Sequence, residues 1–279
     1  MNLMLLAEEE NLHLNNAQPL SGGDINEVQR LSCKEGEFVV KINDRSAYPK
    51  MFEREASGLD ELRKAKSFKI PEVIATGELG ENSYLLMRYI DANSPSSDFD
   101  EQFAQKLAKM HQVSADHFGF HEDNYIGKLP QYNDHKAKAS DFYIDQRLEP
   151  QVKMAHNCGF DLPLNDRFFN NVEDAIPDEP SSLIHGDLWV GNYMTDEQGD
   201  PVLIDPATCY AHREMDLAMM KLFGGYSARI FAIYHEHYPL ESQWHSRVNL
   251  YQLYYLLVHL NLFGAGYLSS VENIIKKYR

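Results

Sequence analysis

The pattern of this chain changes character at one place, the polar stretch Asp91-Ala92-Asn93-Ser94-Pro95-Ser96-Ser97. It contains the breaker Pro95 and is the best linker candidate in the sequence. Before it the chain reads β-rich. Residues 27–31 and 38–42 have strand character, with Lys34-Glu35-Gly36 as the hairpin turn between them. Met51, Phe52, Glu55, Leu59 and Leu62 then recur at helical spacing within 49–66, with Pro49 near the first turn. Residues 73–77 and 84–89 read as two further strands. After the linker, helical patterns dominate: about 100–114, 140–158, 165–176, 213–223 and a long C-terminal set that includes a buried helix over 250–268. Short strand-like pieces at 182–184 and 202–204 interrupt them. The expected class is α+β, with a β-rich N-lobe over 1–90 and a mostly helical C-lobe over 91–279. Nucleotides bind in the cleft between lobes of this kind, a bilobal, protein-kinase-like layout.

The stretch His185-Gly186-Asp187-Leu188-Trp189-Val190-Gly191-Asn192, followed by Ile204-Asp205, has the spacing a phosphoryl-transfer site needs. Asp187 is the candidate catalytic residue, a carboxylate able to accept the proton of an attacking hydroxyl. The transition state is largely dissociative, so positioning that hydroxyl matters more than deprotonating it early. Asn192 and Asp205 offer the oxygen ligands that a hard ion such as Mg²⁺ prefers. His185 is expected to support the loop through hydrogen bonds. Asp216, at the start of a helical pattern, is expected either to cap that helix or to brace the catalytic loop from below.

Upstream residues supply a candidate ATP site. Gly22 and Gly23 lie before the first strand run and would let backbone N–H groups approach phosphates. Lys41 sits inside the apolar strand Phe38-Val39-Val40-Lys41-Ile42. Glu55, on the following helix, is placed to hold that lysine, the device that orients α- and β-phosphates in kinases. Met87, Arg88 and Tyr89 end the last strand before the linker, where backbone groups would meet an adenine ring.

The formal net charge of -16 argues against nucleic acid or an anionic membrane surface as the partner. Cys33, Cys158 and Cys209 are scattered without CxxC spacing, which suggests reduced thiols and a cytoplasmic location. The apolar run at 3–7 is followed at once by Glu8-Glu9-Glu10 and does not read as a secretory signal.

With these residues assembled, His185-Gly186-Asp187-Leu188-Trp189-x-Gly191-Asn192 resembles the motif of the fructosamine kinase (ketosamine 3-kinase) family. That family stands beside the aminoglycoside phosphotransferases and choline kinases in the protein-kinase-like superfamily. The likeness extends to Ser21-Gly22-Gly23-Asp24-Ile25-Asn26, Phe118-Gly119-Phe120, Asp123-Asn124-Tyr125-Ile126-Gly127, Phe142 with Gln146-Arg147-Leu148, Asp205-Pro206-Ala207, His212-Arg213-Glu214 and Tyr251-Gln252-Leu253-Tyr254. The resemblance implies an enzyme that uses ATP and Mg²⁺ to phosphorylate O3 of the ketose in an Amadori product, free or protein-bound. The 3-phosphate is unstable and releases the amine, which makes the family deglycating. It also implies that Trp189 faces the sugar and that His259 borders the acceptor pocket; both residue types equally suit a packed interior. Two positions depart from the family pattern: Val190, where serine is common, and Asp24, where eukaryotic members often carry a cysteine. The alternatives are another small-molecule kinase of the same superfamily and a nucleotide-binding pseudokinase.

Overall fold

A computed structural model describes residues 1–20 and 26–279. Gly22 and Gly23, the expected phosphate-cradling pair, lie outside the described residues.

The apolar run at the start of the chain folds as helix α1 (Leu3–Glu9), which the sequence pattern did not suggest. The Asn2 side chain caps it by accepting from the N–H groups of Met4 and Leu5, and Leu6 and Ala7 are buried. Five strands follow: β1 (Leu14–Pro19), β2 (Glu27–Cys33), β3 (Gly36–Asp44) and, after helix α2 (Met51–Lys64), β4 (Val73–Leu79) and β5 (Asn82–Arg88). They form one antiparallel sheet in the order β1-β2-β3-β5-β4. β1 was missed because Leu-Asn-Asn-Ala-Gln-Pro lacks apolar alternation; it is a polar edge strand, where a terminal proline is tolerated.

The period of two in β3 divides its residues between two faces. Phe38, Val40 and Ile42 join Leu31, Tyr84, Leu86 and Leu6 in one apolar cluster. Val39 belongs to the other face with Leu85 and Met87, packed with Met51, Phe52, Leu59 and Leu62 of α2. Lys41 has the parity of Val39, so its side chain is sent towards α2. Glu55 lies four residues from both Met51 and Leu59, on the buried stripe of that helix.

The rest of the chain is mainly helical. α3 (Phe99–His111) precedes a short hairpin, β6 (Asn124–Ile126) and β7 (Leu129–Gln131). α4 (Ala139–Phe142) runs through a π-helical segment at Tyr143–Leu148 into α5 (Glu149–Asn157), so the expected helix over 140–158 is continuous but widened. After α6 (Asp166–Ala175) come β8 (Ser182–Ile184), β9 (Tyr193–Thr195), β10 (Pro201–Leu203) and β11 (Cys209–Ala211). β8 pairs with β11 and β9 with β10. Four helices complete the chain: α7 (Glu214–Leu222), α8 (Ala228–His237), α9 (Trp244–Phe263) and α10 (Leu268–Tyr278). The helix expected over 250–268 therefore ends at Gly264, whose φ of 86° suits glycine and stops the α-helical repeat.

A single apolar cluster runs from Leu85 and Met87 of the sheet through α2 to Phe103 and Leu107 of α3, then to Leu183 of β8 and Leu203 of β10. This continuity fixes the two short ribbons against the sheet. Phe103 is wholly buried and its ring meets those of Phe68, Phe99, Tyr193 and Tyr226. Phe103→Ala is expected to cost about 3–5 kcal/mol of stability, read as a lower urea midpoint.

Candidate active site

Two loops emerge side by side from the paired ribbons. Residues 185–192 join β8 to β9, and 204–208 join β10 to β11. Backbone bonds clamp them together: Ala207 N–H donates to His185 O at 2.9 Å and Ile204 N–H to Asn192 O at 3.1 Å. Gly186 takes φ of 83°, and a Cβ there would lie 2.1 Å from the Ala207 carbonyl oxygen. Only glycine permits this approach. Asp205, also at positive φ (55°), turns its carboxylate towards the sheet; aspartate is among the residues that tolerate this conformation.

There it meets Lys41. The Lys41 ammonium donates to Glu55 Oε1 and to Asp205 Oδ1, both at 2.6 Å. Burial disfavours the charged lysine, but the two carboxylates outweigh it and hold its pKa above the ordinary value. Burial also raises Glu55, against the pull of Lys41. The triad thus ties strand β3, helix α2 and the 204–208 loop into one charged cluster.

Asp187 lies across the cleft, its Oδ2 accepting from Asn192 Nδ2 at 3.0 Å. Desolvation pushes its pKa up to about 7, with the charges of Asp205 and Asp216 acting in the same direction and the Asn192 bond opposing them. Asn192 also donates to the Asp187 carbonyl at 2.8 Å, which leaves its amide oxygen as an acceptor. Asp205 and Asn192 together present an oxygen-only donor set, which fits a hard cation that keeps several of its waters. Among the described residues no group of three or more His, Cys, Asp or Glu side chains is placed to hold a metal.

Beneath the loop, Asp216 is fully buried. It accepts from the backbone N–H of His185 at 2.8 Å and of Gly186 at 2.9 Å, and lies 3.2 Å from His111 Nε2. His185 Nε2 lies 2.9 Å from Ile204 O, while its Nδ1 faces the Asp187 N–H at 3.3 Å. Burial lowers the His185 pKa, so the ring is neutral near pH 7 and can act as donor at one nitrogen and acceptor at the other.

Lys41, Glu55, Asp187, Asn192 and Asp205 all line one cleft of about 670 Å³. Trp189 and His259 line it too. Trp189 is 39% exposed, and its indole lies over Gly191, where a Cβ would come within 2.3 Å of the ring. It is not packed in the interior. His259 Nδ1 bonds the Tyr255 carbonyl at 2.7 Å and its ring meets Phe223, Phe263 and Tyr267. Val190 packs against Gly225, while the loop bonds are made by its neighbours.

Met87, Arg88 and Tyr89 do not line this cleft. Met87 is packed in the core, Arg88 stacks over Phe38, and Tyr89 lies under Arg30. The N–H groups of Arg88 and Tyr89 are already bonded to Glu72 O at 2.8 Å and Glu37 O at 3.0 Å. Sequence reasoning missed Lys128, Phe223, Tyr255, Phe263 and Tyr267, which all line the cleft. The last three sit in an apolar C-terminal pattern that reads as core. Tyr255 is fully buried, with a hydroxyl that has no hydrogen-bond partner among the described residues, and the charges of Asp216 and Asp187 contribute to the rise in its pKa after burial itself.

The family model described as "Fructosamine kinase" matches residues 2–279. The chain belongs to the fructosamine kinase family. Among the relatives of this family member, a protein named probable ketoamine kinase from Enterococcus faecium is 36% identical over 93% of this chain and 94% of its own. The chloroplastic protein-ribulosamine 3-kinase of Arabidopsis thaliana is 34% identical over 98% and 86%. A crystal structure from Haemophilus somnus, of a protein described as "Putative fructosamine-3-kinase", superposes with a TM-score of 0.89 at 28% identity, covering 99% of this chain and 95% of that one. Spectinomycin phosphotransferase, at 14% identity and a TM-score of 0.63 over 99% and 92%, shares the fold alone. The fold is the α+β, bilobal, kinase-like one. No helix among the described residues is long and apolar enough to cross a membrane.

The elevated Asp187 pKa has a thermodynamic consequence for the metal-free protein. The folded state holds this proton up to about pH 7, whereas an unfolded aspartate releases it near pH 4. Between those values the folded state binds more protons, so its advantage is present at low pH and lost as pH rises through 7. In chelator, Asp187→Asn is expected to melt at a higher temperature than the parent at pH 8. That gap should close towards pH 4, as followed by thermal denaturation.

Proposed function

We propose that this fructosamine kinase family member transfers the γ-phosphoryl group of ATP to the 3-hydroxyl of the ketose in fructosamine- and ribulosamine-type Amadori products. The observation that carries this reading is the convergence of Lys41, Glu55, Asp205, Asn192 and Asp187 on one cleft beside Trp189. The similarity to a probable ketoamine kinase and to a protein-ribulosamine 3-kinase supports the acceptor class.

In this reading residues 1–90 form the nucleotide side and 91–279 the acceptor side. Lys41 would exchange its bond to Asp205 for the α- and β-phosphates while Glu55 keeps the ammonium in place. Adenine would take its hydrogen-bond donor from Ile90 onward, because the N–H groups of Arg88 and Tyr89 are engaged within the sheet. Gly22 and Gly23 would cradle the phosphates. Asn192 and Asp205 would hold Mg²⁺, which when bound would neutralise charge on the phosphates.

Asp187 would orient the ketose hydroxyl and receive its proton as the oxygen–phosphorus bond forms and the bond to ADP breaks. Asp216 and His185 would keep the loop in register beneath it. Trp189 would pack on the C–H face of the sugar, His259 would border the acceptor, and the Tyr255 hydroxyl, unpartnered among the described residues, would find a sugar oxygen. The three cysteines are free thiols, in keeping with a cytoplasmic enzyme.

The test is ADP formation with a panel of fructosamines, ribulosamines and erythrulosamines. The parent is expected to turn over at least one of them. Asp187→Asn should lower kcat by about 10²–10⁴-fold while keeping the thermal shift caused by ATP. Absence of turnover on every ketosamine would refute the assignment. Lys41→Ala should instead raise KM for ATP and diminish that thermal shift.

A further inference from the structure

The acceptor wall of the cleft has a charge pattern that phosphoryl transfer does not require. Phe223, His259, Phe263 and Tyr267 build an aromatic surface, with His259 4.9 Å, 5.4 Å and 5.1 Å from the other three ring centroids. Burial lowers the His259 pKa, so this ring adds no cation near pH 7. Among the described residues lining the cleft, the charged ones are Lys41, Glu55, Asp187, Asp205 and Lys128. The first four are used by the transfer chemistry, and Lys128 is not.

Lys128 stands at the tip of the β6–β7 hairpin, after Gly127 at φ of 58°. Its side chain is exposed and makes no ion pair or hydrogen bond with any described residue. Its base, in contrast, is fixed. Asn124 Nδ2 donates to Thr208 O at 2.8 Å, Gln131 Nε2 to Ala207 O at 3.0 Å, and Tyr254 hydroxyl to Gln131 Oε1 at 2.7 Å. The hairpin is therefore tied to the same 204–208 loop that carries Asp205. The backbone that carries Lys128 is thereby set relative to the reacting groups, and its ammonium, unpaired among the described residues, lines the same cleft.

The aromatic wall offers a cationic acceptor no carboxylate, and among the described residues lining the cleft Lys128 is the cation outside the transfer chemistry. An anionic acceptor faces a chain of net charge -16 and needs a local cation, which Lys128 supplies. Resting on the kinase assignment above, we propose that Lys128 binds a carboxylate on the amine portion of the ketosamine. Ketoses linked to a free amino acid are then preferred to those linked to its neutral amide or to a residue within a protein.

The experiment compares a ketosamine of one apolar amino acid with its carboxamide, in steady-state turnover and in calorimetric binding. The parent should show a KM and a Kd for the acid lower by about tenfold, the scale of one hydrogen-bonded charge pair. Lys128→Ala should erase that difference and leave kcat for the amide and KM for ATP unchanged. Lys128→Glu should invert the preference in favour of a cationic derivative. Equal values for acid and amide in the parent would overturn the inference, as would a Lys128→Ala effect on KM for ATP alone. Failure of both compounds to be phosphorylated counts against the kinase assignment; the calorimetric comparison still decides the carboxylate preference.

Discussion

A buried ammonium between two carboxylates organises this molecule. Lys41 is 6% exposed and Glu55 12%, so neither charge could be left alone at that depth without a large desolvation cost. Each charge in the cluster comes from a different element. The sheet supplies the lysine through the parity of β3, α2 supplies the glutamate through its buried stripe, and the loop after β10 supplies Asp205 by adopting a positive φ. Satisfying the lysine therefore requires the sheet, the helix and the loop to be in register at once. The apolar cluster from Leu85 to Leu203 brings these elements together without direction, and the ion cluster gives that approach a fixed geometry.

The reacting side is held by a different device, one that relies on backbone hydrogen bonds. Asp216 gathers two N–H groups of the catalytic loop, and neutral His185 bridges that loop to Ile204. Gly186 then lets the two loops touch. The polar residues Asn124, Gln131 and Tyr254 extend the same clamp to the β6–β7 hairpin. Asp187 and Lys128 thus hang from one rigid frame although they are far apart in sequence. A frame of this kind is what positional control of a hydroxyl demands, since most of the catalytic benefit in phosphoryl transfer comes from alignment.

Much of this is legible in the sequence. The strands carrying Lys41 and Met87, the helix carrying Glu55 and the pieces at 182–184 and 202–204 follow from apolar periodicity, which local burial enforces. α1 and β1 were not legible. The first is too short to show a period, and the second is a polar edge that forms because β2 offers it hydrogen-bonding groups. The partners β9 and β11 are three residues each and acquire strand geometry only by pairing. Tyr255, Phe263 and Tyr267 look like core residues in the sequence, and whether an aromatic ring on a buried helix faces packing or a cavity depends on what stands opposite.

The sequence by itself determined the chemistry: an Asp-to-Asn spacing of five, a second aspartate, and a lysine–glutamate pair fix which functional groups are available and in what order. Those choices are local, because periodicity and loop length are properties of adjacent residues. The tertiary structure alone decided where the charges meet. It brought Asp205 to Lys41 across 164 positions, withdrew the Arg88 and Tyr89 N–H groups into the sheet, and left Lys128 on the cleft wall without a partner among the described residues. Contacts between residues so distant in sequence arise only when the elements that carry them pack, and only packing determines which charges are satisfied and which remain open to a substrate.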